Sequence, residues 1–316
     1  MKQEIKNITQ KYGTILTLII LIIVFSIATS TFLEVRNLLN ILAHIAMLMI
    51  IASGLTVCMV PGDFDMSIGS IASLAGILFT SLVLKKVPMF PSIVMVIIMG
   101  AVFGLLAGFL VTKVRVSAFI ATLALGQIAT GITFMYTRGQ AVFGDFNSSF
   151  LFLGQGRVFK VIPTQVIIML IITCALSFFM EKTKAGKYMY AIGGSIRASY
   201  LSGIKVNLYR IIGLMISGSL AAFTGCILAS RLGSGQPTAG DSYLMDSIAA
   251  AYIGMTTIKV SRPNIPGTLI GVLFIGIIDN GLTLIGVSYF FQYIAKGAII
   301  ILAVALSSRG STVVEK

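Results

Sequence analysis

The chain has 316 residues, 57% hydrophobic and only 10% charged, with a mean hydropathy of +1.01. Soluble domains carry about 25% charge, so the composition excludes a water-soluble globule and points to an integral membrane protein. The net charge of +13 does not indicate nucleic acid, because the basic residues lie between apolar runs long enough to span a bilayer rather than on a soluble, aromatic-bearing face.

A hydrocarbon core of about 30 Å takes about 20 helical residues. On that ruler, spans are expected at 14–33, 41–60, 66–84, 91–112, 116–136, 162–180, 211–230, 243–258, 266–286 and 288–306. The run 14–33 is longer than the apolar core of a secretory signal and no small-residue cleavage pattern follows it, so it reads as a retained first span. The eighth span is too short to cross comfortably if straight. These readings give an all-α membrane protein of about ten transmembrane helices forming one domain over 14–306, with cytoplasmic segments at 1–13 and 307–316. With the N-terminus inside, fifteen of the 23 Lys and Arg residues fall on inner segments and seven on outer ones, with Lys296 within a span. That asymmetry follows the rule that basic loops stay in the cytoplasm. Gly100, Gly104 and Gly108, and again Gly267, Gly271, Gly276 and Gly281, are spaced to permit close helix contact in lipid. Cys58, Cys174 and Cys226 all lie in apolar runs without metal or disulfide spacing, and read as buried structural thiols.

Between the sixth and seventh spans stands a polar island, Glu181 to Arg210, holding Lys182, Lys184, Lys187, Arg197, Lys205 and Arg210. Gly193 and Gly194 break the chain, the Ser195 hydroxyl can cap a helix, and Gly203 can end it by adopting positive φ. A helix of about two turns is expected. Ile196, Tyr200 and Ile204 would form an apolar stripe flanked by Arg197 and Lys205, suited to a groove on a partner. A solvated loop that merely satisfies the charge rule is the other reading.

Charges at bilayer depth cost about 2.5 to 3.5 kcal/mol on insertion scales, so Asp246, Asp279 and Lys296 need partners or water. At 1.5 Å per residue, Asp279 lies roughly 20 Å above the inner start of the ninth span and Lys296 roughly 12 Å below the outer start of the tenth. Their depths nearly coincide, which predicts an intramembrane ion pair. Asp63, Asp65 and Ser67 follow Pro61 and Gly62, so a helix break is expected there, either as a polar vestibule or as a hydrated inner turn. Asp246, after the Gly-rich outer loop 233–240, is placed in a re-entrant gate. Gln127 and Asn280 complete the candidate pathway or gate residues.

Other chemistry is excluded by spacing. Around Gly186-Lys187 a phosphate-cradling loop would need glycine where Glu181 stands and Ser or Thr where Tyr188 stands. Gly233-Ser234-Gly235 lacks the third glycine of a dinucleotide fingerprint. His44 is the lone histidine, without a second imidazole or a carboxylate at helical spacing, and reads as a buried, hydrogen-bonded residue rather than a metal ligand or triad member. No catalytic, metal or cofactor site is expected.

Four stretches together resemble the membrane-spanning permease subunit of ribose-type carbohydrate ABC importers. They are PGDFDMSIGS (61–70), SAFIATLALGQIATGI (117–132), AIGGSIRASYLSGIKV (191–206), and QPTAGDSYLMDSIAA (236–250) followed by residues 267–304. Asp63 stands where the family pattern has glycine, Ser195 where it has Asn, and Arg197 where it has a small residue. The resemblance implies the fold of the vitamin-uptake (type II) importer membrane domain and a dimer with a second permease copy or a paralogue. It also implies a bacterial inner-membrane location with both termini cytoplasmic, and a sugar delivered by a soluble periplasmic or extracellular binding protein. Under it, Gly193, Gly194, Ser195, Ile196, Arg197, Tyr200, Leu201, Ser202, Gly203, Ile204 and Lys205 form a coupling element that contacts a separate ATPase subunit, which uses the ATP. The competing class is a stand-alone secondary solute transporter, whose signature would be an inverted repeat with paired broken helices. No internal repeat is evident in the sequence.

Overall fold

The computed structural model describes residues 2–258, 261–288, 290–298 and 301, with side chains from residue 13 onward. Lys259, the tail 307–316 and the part of the tenth expected span over 299–300 and 302–306 lie outside the described residues. Among the described residues the helices are α1 (Lys2–Ala28), α2 (Val35–Met59), α3 (Ile68–Leu84), α4 (Met89–Phe109), α5 (Ala118–Thr137), α6 (Ser148–Gln155), α7 (Thr164–Lys182), α8 (Lys184–Gly194), α9 (Ile196–Leu201), α10 (Val206–Leu232), α11 (Asp241–Gly254) and α12 (Ile265–Leu284). Residues 290–298 are also helical. A π-helical turn, Leu110–Val114, prolongs α4, and β1 (Arg157–Val158) pairs with β2 (Ile162–Pro163) in a short antiparallel hairpin.

Among the described residues, six helices are long and apolar enough to cross a membrane: α2, α4 with its π turn, α5, α7, α10 and α12. Residues 13–28 of α1 and all of α3 are shorter apolar helices. From His44 onward nearly every residue of α2 is buried, as expected of a helix apolar on all sides. The outer helices α4, α5 and α7 bury only one face and show Ile, Leu, Val and Phe on the other.

Close approach of backbones holds the centre together. Gly100 and Gly218 each turn the side a Cβ would occupy onto the other's carbonyl oxygen, a Cβ on Gly104 would stand 2.6 Å from the Met215 Cα, and Gly108 packs on Ile211. This row of small residues lets α4 lie directly on α10, where dispersion rather than hydrophobic burial supplies the attraction in lipid. The second glycine row is divided among three neighbours: Gly267 and Gly271 admit the backbone of α11, Gly276 admits Ile45 of α2, and Gly281 admits Phe25 of α1. Cys58 and Cys226 are buried thiols, but Cys174 lies on the exposed face of α7, correcting the expectation for that residue. His44 is half-buried, within electrostatic reach of Arg231, Asp246 and Lys296.

The chain is broken twice inside the bundle. Pro61 and Gly62 (φ +97°) end α2, and residues 63–67 run on without helix to α3. Asp63 is bonded to Arg210 near the start of α10, whereas Ala72 and Gly76 of α3 pack against Gly225, fifteen residues further along the same helix, or about 22 Å. The stretch therefore climbs from one end of the bundle into its middle. A second stretch mirrors it: Gly233 (φ +64°) ends α10, Gly235 pairs with Val142 and packs beside Thr80, and Gly240 lies against Gly69 and Ser73. It enters from the opposite end, and α3 and α11 begin side by side where the two meet. The paired, oppositely directed breaks amount to an inverted relation between α2–α3 and α10–α11 that the sequence does not display.

Candidate functional site

The polar island folds as two helices where the sequence announced one. In α8, Thr183 caps the first turn by accepting from the Gly186 amide (3.2 Å), and Gly186, Met189 and Ile192 face inward. Gly193 and Gly194 belong to the last turn of α8 rather than breaking the chain; the break comes at Ser195, in extended backbone. Gly193 is required for contact, since any Cβ there would collide with the Val60 carbonyl oxygen at the end of α2. The Tyr190 hydroxyl donates to the Pro263 carbonyl oxygen (3.2 Å), tying α8 to the loop before α12. Burial pushes the Tyr190 phenol up to about 12, with Glu181 adding to the shift and Arg262 opposing it, so it holds its proton as a donor at neutral pH.

Ser195 accepts from the Ala198 amide (3.2 Å) and so caps α9. At the other end Gly203 takes φ +78°, its amide bonds Tyr200 O (3.0 Å), and the Ile204 amide bonds Ser199 O (3.1 Å). That pair of bonds is a Schellman stop. α9 has six residues, under two turns, so Ile204 lies beyond it and the apolar face is instead Ile196 (51% exposed), Tyr200 (72%) and Leu201 (77%). Arg197 and Lys205 flank a groove of about 660 Å³ floored by Ile204 and Val206. Each apolar side chain buried by a partner there is worth about 1.5–3 kcal/mol.

Most expected pathway residues already have protein partners. Asp63 accepts from two of the three guanidinium nitrogens of Arg210, Nε at 3.0 Å and a terminal nitrogen at 2.5 Å. Asp65 accepts from the Ser67 amide (2.9 Å) and hydroxyl (2.5 Å), preparing the start of α3. Thr122 of α5, which the sequence did not single out, accepts from the Met66 amide (2.9 Å) and stands 3.1 Å from the Phe64 carbonyl oxygen. The break is thus satisfied by protein, the condition for irregular backbone at membrane depth. Asn280, a candidate pathway or gate residue, is engaged in a reciprocal amide pair with Asn37 of α2, both bonds 2.9 Å. Gln127 is exposed on α5, next to Gly126, which packs against Ser67. Asp241 and Ser242, also passed over in the sequence, are exposed at the start of α11.

Lys296 stands 2.9 Å from Asp279 and 3.0 Å from Asp246. The expected pair is therefore part of a three-residue cluster joining α11, α12 and the helical stretch 290–298, in which Asp246 is a second charge partner of Lys296. No group that could hold a metal ion occurs among the described residues.

A bundle of bilayer-length apolar helices, twice interrupted where the breaks meet, with one charged, helix-capped surface at an end, defines a multi-pass membrane transport protein. A family profile described as the permease component of branched-chain amino acid transport systems matches residues 37–304. The chain belongs to that permease family. It is 41% identical over 306 residues to a ribose import permease protein of Bacillus subtilis, covering 96% of this chain and 95% of that protein. A ribose import permease protein of Escherichia coli K12 is 38% identical over 299 residues, covering 94% and 93%. The D-allose transport system permease protein of the same organism is 32% identical over 298 residues, covering 94% and 91%. No solved structure matches the chain significantly.

Proposed function

We propose that this chain is the membrane-spanning permease subunit of an ATP-driven bacterial importer, translocating ribose or a closely similar monosaccharide across the inner membrane. The observation that carries the reading is end-to-end identity of 38–41% to ribose permeases, against 32% to the D-allose permease. A separate ATPase subunit docks on α8 and α9, a soluble binding protein delivers the sugar at the opposite face, and two permease copies form the complex. The fold is read as the type II importer domain with about ten transmembrane helices, in which α1, α3, α11 and the stretch 290–298 join the six long helices. Both termini then lie in the cytoplasm with the basic island. Gln127, Asp241 and Ser242 line the sugar route where the two breaks meet, while Asp63, Asp65, Ser67 and Asp246 shape it from behind.

The paired breaks also suit a secondary carrier, so the test must separate the two. The tagged chain, purified in mild detergent from its own membrane, is expected to bring an ATPase subunit in stoichiometric amount and to accumulate labelled ribose in proteoliposomes only with ATP. Recovery of the chain alone, accumulating solute without ATP, would overturn the importer reading. Docking at α9 has its own check. Tyr200→Asp puts a charge on the exposed apolar face, and is expected to abolish ATP-driven uptake and ATPase retention while leaving the amount of folded chain unchanged. Wild-type uptake by that variant would remove α9 from the coupling surface.

A further inference from the structure

The pairing of Asp63 with Arg210 links two segments 147 residues apart. Arg210 lies one turn into α10, immediately after α9, Gly203 and Lys205. Asp63 lies in the break between α2 and α3, which also contacts α5 through Thr122 and α10 through Pro61 against Gly213, while Val60 just before it meets Gly193 of α8. At the break the island thus meets the interior of the bundle by a bidentate ionic contact. A guanidinium–carboxylate fork fixes angle as well as distance. The Asp63 side chain is wholly buried while that of Arg210 is 20% exposed.

We propose that Asp63 and Arg210 are positioning residues for coupling: the pair transmits displacement of α8 and α9 to the 61–67 break and hence to the N-terminus of α3 and the Gln127 face of α5. The inference rests on the importer reading. The break is stapled to α5 by Thr122, so a pull on Asp63 moves the segment as a unit instead of stretching it. Removing the fork leaves packing contacts, Gly193 with Val60 and Gly213 with Cys58 and Pro61, which limit approach but cannot pull.

The difference in exposure sets an order among variants. Arg210→Gln strands a fully buried carboxylate, whereas Asp63→Asn leaves a guanidinium that still reaches water. In the complex purified through a tag on this chain, labelled ribose taken up per ATP hydrolysed is expected to fall about two- to thirtyfold for Arg210→Gln, the span over which mutations along a coupling path shift linkage. Asp63→Asn is expected to lose less, and the double variant to recover to the Asp63→Asn level. Arg210→Lys keeps the charge but loses the fork, and should be intermediate; it serves if Arg210→Gln fails to assemble. A merely structural pair would lower the yield or thermal stability of the complex while every assembled variant kept the wild-type ratio of ribose to ATP, and that result would overturn the inference. A wild-type complex that moves no ribose with ATP would instead defeat the importer reading, and this inference with it.

Discussion

Lys296→Gln is expected to cost the folded chain about 3–5 kcal/mol, the penalty for removing one partner of a buried ion pair. Here the loss strands two carboxylates, Asp246 and Asp279, each within 3.0 Å of the missing ammonium. Asp279→Asn alone is expected to be mild, because Asp246 still neutralises Lys296. The combination of Lys296→Gln with Asp279→Asn should recover only part of the loss, since Asp246 stays charged and nearly buried, whereas adding Asp246→Asn should recover most of it. The quantity to measure is the fraction of monodisperse chain in detergent with its midpoint of thermal unfolding. If Lys296→Gln were no worse than Asp279→Asn, the cluster would not be what holds α11, α12 and the stretch 290–298 together.

Gly100→Val and Gly218→Val are each expected to destabilise by more than about 3 kcal/mol, the upper part of the range for overpacking. The obstacle is backbone rather than a side chain that could rotate away: a Cβ on Gly100 would run into the Gly218 carbonyl oxygen and stand 2.6 Å from the Ala222 Cβ. Separating the helices forfeits contacts along the whole α4–α10 seam, including those at Gly104 and Gly108. Gly131, on α5, provides the control, because no heavy atom lies within 4 Å of a Cβ placed there. Gly131→Ala should leave stability within about 0.5 kcal/mol of wild type. A loss at Gly131 as large as that at Gly100 would show that close approach is not what requires glycine on these helices, since replacing glycine raises helix propensity.

How far the chain could be read from its sequence depended on whether the physics involved was local. Hydropathy located the apolar helices because spanning a bilayer is a property of one contiguous segment. The Ser195 cap and the Gly203 stop were legible for the same reason: a hydroxyl bonds an amide three residues on, and a positive φ is set by the residue that adopts it. Pro61-Gly62 marked a break because proline has no amide to offer and glycine turns without penalty. The existence of α8 was less visible, its inward face consisting of just Gly186, Met189 and Ile192.

What each polar group is bonded to was decided by the tertiary structure alone. The sequence offered Asp63 and Asn280 as pathway candidates but not their partners, Arg210 and Asn37, which lie 147 and 243 residues away. Depth counted along two helices brought Lys296 level with Asp279, yet it could not show that α11 places Asp246 on the same ammonium, because helix counting gives height and not azimuth. The opposed breaks at 61–67 and 233–240 were hidden for a related reason: their correspondence lies in the path of the backbone and the direction of each helix, which dissimilar residues can follow equally well. Composition and local chemistry thus determined that this is a membrane-embedded helical chain with a capped basic surface, while long-range packing determined which of its few charges pair and where its two broken helices meet.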